Sequence, residues 1–233
     1  MVDLYVENMH LFETFRANVY SSLSNSPKLG ELVHSMKWRL KDPDHLKEKL
    51  ERKAREASEK GVAFGYNEKN LFSKINDLVG FRLLHLHTNQ FEKIDRLLRE
   101  ALQESQFELV EGPIARAWDS DSRAYFERIG VKCVDSLTMY TSVHYVIASN
   151  SKTRLTAELQ VRTLAEELWG EVNHQVNYPH PTDVLPCVEQ IKVLARLVSS
   201  CSRLVDSIFL SYSEGEIHSS SKLRRQAQRK QRR

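Results

Sequence analysis

The chain has 233 residues, 41% of them hydrophobic and 28% charged, an ordinary balance for a globular protein able to bury one sizeable core. No apolar run approaches the roughly 20 residues a membrane span needs, and the acidic start Met1-Val-Asp-Leu-Tyr-Val-Glu7 lacks the cationic and apolar parts of a signal peptide. The net charge of +3 conceals an asymmetry, because 222–233 hold seven positive and no negative charges and the preceding 221 residues carry a net −4. Cys133, Cys187 and Cys201 are odd in number and show no metal-ligand spacing, which suits a reducing cytoplasm.

Residues 8–25 predict an amphipathic helix through Leu11, Phe12, Phe15, Val19 and Leu23. Residues 35–41 alternate, with Met36, Trp38 and Leu40 on one face and Lys37, Arg39 and Lys41 on the other, the period of a strand. Asp42-Pro43 supplies an N-cap and a proline at the first helical position. A helix over about 43–58 should follow, burying Leu46, Leu50, Ala54 and Ala57 and aligning His45, Lys49 and Lys53 at steps of four. Further along come a short helix at 68–76, a buried strand at 78–86 and a helix at 89–104 through Phe91, Ile94, Leu97, Leu98 and Leu102. A strand near 107–111, an irregular stretch at 113–138 and a strand at 139–148 follow; the last sets Tyr140, Ser142 and His144 opposite Val143, Tyr145 and Ile147.

Residues 157–178 are the most informative part of the chain. Ala157, Leu159 and Val161 alternate with Glu158, Gln160 and Arg162, a strand with one packed face and one polar face. A carboxylate, an amide and a guanidinium in one row suit the wall of a site for a charged ligand. From Thr163 the period turns helical, with an apolar stripe Leu164, Leu168, Val172, Val176 and a second face Glu167, Glu171, His174, Tyr178. Trp169 reads as a core residue.

Pro179 and Pro181 break the chain, and 183–212 read as one helix with Val184, Val188, Ile191, Val198, Cys201, Val205, Ile208 and Tyr212 near heptad spacing. Cys187 and Cys201 are expected in its packed stripe, which would face the domain or a second subunit, so a homo-oligomer is expected. Residues 213–233 form a basic tail expected to be disordered and solvated, whose charge would also suit contact with RNA or the ribosome. Strands and helices alternate irregularly around one mixed sheet, which points to a single α/β (α+β) domain over 1–212.

Four segments in order resemble the signature of the RelA/SpoT synthetase family, the pyrophosphokinases that make ppGpp-type alarmones. They are Arg39-Leu-Lys41 with Lys49, Asp77-Leu-Val-Gly-Phe-Arg82, Tyr140-Thr-Ser142-Val-His144, and Glu158-Leu-Gln-Val-Arg-Thr163 followed by Trp169 and His174. The match spans about 30–180. It implies a nucleotidyltransferase-like mixed sheet flanked by helices, with ATP and GTP or GDP as ligands and Mg²⁺ as cofactor. By resemblance, Asp77 and Glu158 are the catalytic and metal-holding carboxylates, with Glu158 also a candidate to activate the acceptor 3′-hydroxyl. Arg39 and Arg82 flank the adenine of ATP, while Lys41, His45 and Lys49 approach its phosphates. Tyr140 stacks on the acceptor base, and Ser142, His144, Gln160 and Arg162 complete or support the acceptor side. Lys53 reads as a solvated cation.

The departures concentrate on the acceptor side. Met139 stands where the family has Gly, Thr141 where a cation is common, and Val131–Thr138 replaces its Pro/Lys/Asn-Gly-rich loop; His45 also replaces a Ser. The His-Asp pair of the family's hydrolase domain is lacking, so only synthesis is expected. Three readings follow: an alarmone synthetase, the same donor chemistry on an adenine nucleotide or the 3′ end of tRNA, and a non-catalytic nucleotide- or RNA-binding module. The retained pair Asp77 and Glu158 favours catalysis.

Overall fold

The computed structural model describes residues 1–136, 138–178 and 180–231, with side chains as far as Gly215. It divides into two compact units: Met1–His85 with Gln90–Arg162, and Leu86–Asn89 with the residues from Thr163 onward. The first opens with helices α1 (Val2–Glu7), α2 (Met9–Ser24) and α3 (Pro27–Gly30). Strand β1 (Ser35–Leu40), helix α4 (Pro43–Glu59), one-turn helix α5 (Leu71–Lys74), strand β2 (Val79–His85) and helix α6 (Phe91–Glu104) come next. Then follow β3 (Glu108–Ala117), α7 (Ser120–Arg128), β4 (Lys132–Asp135), β5 (Ser142–Ala148) and β6 (Thr156–Thr163).

The strands form one mixed sheet in the order β1-β2-β6-β5-β3-β4. Pairs β1/β2, β5/β6 and β3/β5 are antiparallel and β3/β4 is parallel. The expected class is therefore observed: a mixed α/β sheet flanked by helices. One face is dry. Phe81 and Leu83 of β2, Val143, Tyr145 and Ile147 of β5, and Ala157, Leu159 and Val161 of β6 are buried in one cluster with Phe12, Phe15, Val19, Leu46, Leu50, Phe91, Ile94 and Leu98 from the helices. Between these residues the strands place Arg82, His144, Val146, Glu158 and Gln160, whose side chains take the opposite face.

Three expectations in this unit need correction. Ala54 is exposed, so α4 is held by Leu46 and Leu50 alone among its fully buried residues. The helix at 68–76 contracts to the single turn of α5. The stretch 113–138 is not irregular: β3 runs on to Ala117, and α7 and β4 follow. The strand was hidden because its register shifts twice, between Leu109 and Glu111 and between Glu111 and Ile114, which breaks the two-residue period. Gly112 sits at φ +104°, and a Cβ there would lie 2.5 Å from the carbonyl oxygen of His144, so only glycine fits the bulge. Helix α7 starts at Asp119, whose carboxylate accepts from the backbone N–H and hydroxyl of Ser122.

The second unit holds α8 (Leu164–Asn177) and α9 (Leu185–Gln231). Thr163 caps α8 by accepting from Glu166 N–H at 3.2 Å. The apolar stripe expected on α8 is displaced: Leu168 is 56% exposed, while Trp169 is 3% exposed and donates from Nε1 to the carbonyl of Ile191. Glu166 and Glu167 are buried in the first turn, where the positive end of the helix dipole favours carboxylates. On α9 the buried side is Ile191, Ala195, Val198, Ser199 and Ser202. Cys201 falls one residue off it and is exposed, and Cys187 is only partly covered, against expectation. Helix α9 runs past 212 to Gln231, through a segment rich in Lys, Arg, Gln and Ala, residues of high helix propensity. Pro179, Leu137 of the 131–138 segment, and the last two arginines of the basic tail lie outside the described residues.

Candidate active site

Lys41 leaves the end of β1, and its carbonyl accepts a 2.7 Å hydrogen bond from the buried Tyr5 hydroxyl, which fixes the strand end. One step on, Asp42 caps α4 by accepting from Asp44 and His45 N–H, and so sets the direction in which that helix carries Lys49. Asp77 precedes β2. Lys41 Nζ donates to its Oδ2 at 2.9 Å and Lys49 Nζ to its Oδ1 at 2.6 Å, so both oxygens of one carboxylate are held. Burial opposes ionisation of Asp77, but the charges and hydrogen bonds of Lys49 and Lys41 outweigh it and hold the carboxyl below its ordinary range. Burial in turn pulls the Lys41 ammonium down, against the pull of Asp77.

On the strand beside β2, Glu158 of β6 accepts at Oε1 from His144 Nδ1 of β5, 2.8 Å away. Burial would raise the Glu158 carboxyl, and the hydrogen bond and charge of His144 bring it down below its usual value. His144 Nε2 is buried with no hydrogen-bond partner among the described residues. Tyr140 donates its hydroxyl to Gln160 Oε1 at 3.0 Å and accepts from Arg162 Nη1 at 3.2 Å, and the Arg162 guanidinium lies 5.4 Å over its ring. The rings of Tyr140 and His144 meet edge to face at 6.0 Å. Ser142 is buried, its hydroxyl pointing to the carbonyl of Val161 at 3.4 Å.

A cleft of about 230 Å³ joins these groups, lined by Lys49, Lys74, Asn76, Asp77, Glu111, Ile114, Arg116, His144, Val146 and Glu158. The two carboxylates singled out in the sequence thus face one space, although 81 positions separate them in the chain. Lys41, Tyr140, Gln160 and Arg162 stand behind or beside the cleft rather than in its lining. Arg39 and Arg82 occupy the same face of the β1/β2 pair, where Arg39 lies opposite Gly80 and Lys37 opposite Arg82. His45 is exposed on the first turn of α4. Lys53 is paired with Glu56 at 2.9 Å, as a solvated cation would be.

Lys74, Asn76, Glu111 and Arg116 were missed from sequence. The last two reach the cleft only because the β3 bulge re-aims them, a signal no two-residue pattern carries. Among the described residues no group of three or more His, Cys, Asp or Glu is arranged to hold a metal by itself. The donor set still fits Mg²⁺, which takes one or two carboxylates and completes its shell with water and substrate phosphates. Asp77 and Glu158 are the residues that would hold it.

Residues 38–183 match the family model described as a region found in RelA/SpoT proteins. A GTP pyrophosphokinase family protein from Streptococcus pneumoniae superposes with a TM-score of 0.58 at 16% identity, covering 88% of this chain and 95% of that one. Small alarmone synthetase 1 from Bacillus subtilis bound to AMPCPP gives 0.56 at 15% identity, over 88% of this chain and 99% of that one. The same synthetase bound to its product pppGpp gives 0.51 at 19% identity, over 90% and 99%. At such identities the likeness shows the fold. No curated protein is significantly similar to the chain in sequence.

Proposed function

The chain belongs to the RelA/SpoT family, and on that premise we propose that it transfers the β,γ-pyrophosphate of ATP to the 3′-hydroxyl of GTP or GDP, making pppGpp or ppGpp in a Mg²⁺-dependent reaction. The observation that carries this reading is the convergence of Asp77, Glu158, Lys49 and His144 on one cleft. The complexes of a structural relative with AMPCPP and with pppGpp support a triphosphate donor and a guanine nucleotide product.

Arg39 and Arg82 take the donor adenine. Diagonal positions on paired strands lie about 7–8 Å apart, roughly twice a stacking contact, so a planar base fits between two guanidinium groups. Lys49 and Lys41 meet the phosphates, and His45 lies at the edge of that path. Tyr140 carries the acceptor base, its ring steadied by Gln160 and Arg162. Glu158 orients the 3′-hydroxyl and receives its proton as the oxygen bonds to the β-phosphorus; the bond from that phosphorus to the α,β-bridging oxygen breaks, and AMP leaves. Bound Mg²⁺ would neutralise charge building on the transferred group. Ser142 and His144 hold the strand face on which this occurs.

Among the described residues no helix is long and apolar enough to cross a membrane, which accords with work on soluble nucleotides in the cytoplasm. The exposed Val193, Leu197, Leu204 and Ile208 of α9 support a homo-oligomer. Contact of the basic tail with RNA rests on its charge. Mass spectrometry of the nucleotides formed from ATP, GTP and Mg²⁺ tests the reaction: AMP and pppGpp should appear in equal amounts, and their absence under conditions where the protein is folded contradicts it.

A further inference from the structure

Lys74 belongs to none of the segments that carry the resemblance, yet it lines the cleft beside Lys49, Asp77 and Glu158. The two motif lysines direct their ammonium groups at Asp77. Lys74 makes no ion pair among the described residues, and its only hydrogen bond there goes to the carbonyl of Gly65, at 3.0 Å. That carbonyl has a second donor, Asn70 Nδ2 at 3.1 Å. Asn70 is itself fixed, because its Oδ1 accepts from Asn67 N–H at 2.9 Å. Lys74 can therefore leave Gly65, or share itself with a ligand, without orphaning a backbone acceptor.

We infer that Lys74 is a further phosphate-binding residue of this cleft, taking an oxygen of a polyphosphate while Asn70 keeps the Gly65 carbonyl satisfied. The inference rests on the reading that the cleft receives a nucleoside triphosphate. An ammonium has three donors on a flexible stem, and Lys74 uses one of them on a neutral carbonyl. A phosphate oxygen is an ionised acceptor and forms the stronger, charge-assisted bond. The surroundings add a reason: Lys41 and Lys49 share the one carboxylate of Asp77, whereas Lys74 has no carboxylate within salt-bridge distance among the described residues.

The test is calorimetric titration of inorganic tripolyphosphate, with Mg²⁺, into the full chain and into Lys74→Met and Lys74→Arg, with adenosine titrated in parallel and melting temperatures recorded. Lys74→Met should weaken tripolyphosphate binding about tenfold or more, the loss of one charge-assisted hydrogen bond. Lys74→Arg should restore most of it, and neither adenosine affinity nor melting temperature should change. Equal tripolyphosphate affinity in wild type and Lys74→Met overturns the inference. So does a loss that arginine fails to restore or that accompanies a lower melting temperature, since Lys74 would then serve only to hold the 61–70 segment. Absence of tripolyphosphate binding to the wild type overturns it as well. Lysine-dependent tripolyphosphate binding by a protein that transfers pyrophosphate to no acceptor upholds the inference and defeats the proposed function.

Discussion

Lys49 Nζ stands 2.6 Å from Asp77 Oδ1, and with Lys41 on the other oxygen the carboxylate is held by two cations at once. Ligand binding must redistribute these contacts: a divalent cation at Asp77 would free both ammonium groups to turn toward phosphate. The three residues that pair with one another here are thus those assigned to donor and metal, which ties the stability of this corner to its chemistry.

Asp77→Asn and Glu158→Gln should each reduce transfer by on the order of 10³-fold or more, from lost metal coordination or hydroxyl activation. Asp77→Asn also has a stability signature. It strands two partly buried ammonium groups, and at neutral pH in chelator the cost should be roughly 1–3 kcal/mol. The folded-state pKa of Asp77 is depressed, so its stabilisation is present above the unfolded-state value and is lost as pH falls through the lower folded one. Melting curves of wild type and variant should therefore converge in strong acid and separate as pH rises. Parallel curves at every pH would show that the ion pairs contribute nothing.

Arg39→Ala and Arg82→Ala should each weaken ATP binding by roughly 1–2 kcal/mol from lost stacking, with little effect on the acceptor. Direct titrations with a non-hydrolysable ATP analogue and with GDP check this. Equal losses for both ligands would move the pair away from the donor base.

Tyr140→Ala should raise the acceptor KM sharply and that of ATP little, with roughly 1–3 kcal/mol of stacking removed. Tyr140→Phe keeps the ring but loses the hydroxyl that links Gln160 and Arg162, so its effect should be milder. Steady-state kinetics with each substrate varied in turn separate the two. A phenylalanine variant as impaired as the alanine one would make the hydroxyl, not the ring, the functional part.

Truncation after Gly215 removes the basic segment and none of the cleft, so transfer between free nucleotides should persist. If the segment binds RNA, that binding should vanish with it and, in the intact chain, weaken steeply with added salt. Loss of nucleotide turnover on truncation would place the segment in the catalytic unit.

What the sequence disclosed depended on how far local pattern and tertiary packing agree. The alternation Lys37, Arg39, Lys41 and the cap at Asp42 made β1 and α4 readable, because both are set by nearest neighbours. The row Glu158, Gln160, Arg162 stood out because its strand is otherwise apolar. Glu111 and Arg116 did not, since the bulge at Gly112 destroys the period that would place them on the same face as His144. On α8 the buried Glu166 and Glu167 invert the usual rule that charge marks the wet side, and Leu168 was misplaced as a result. Lys74 was illegible for another reason: it reaches the cleft through tertiary packing, and its hydrogen-bond partner Gly65, nine residues earlier, carries no sequence signature.

Incubation with γ-labelled ATP and Mg²⁺ against GTP, GDP, ATP and deacylated tRNA identifies donor and acceptor in one measurement. Label should appear in pppGpp and ppGpp, with AMP as the other product and none in tRNA. Labelled tRNA with no labelled GTP or GDP product would contradict the proposed function and assign the cleft to another acceptor.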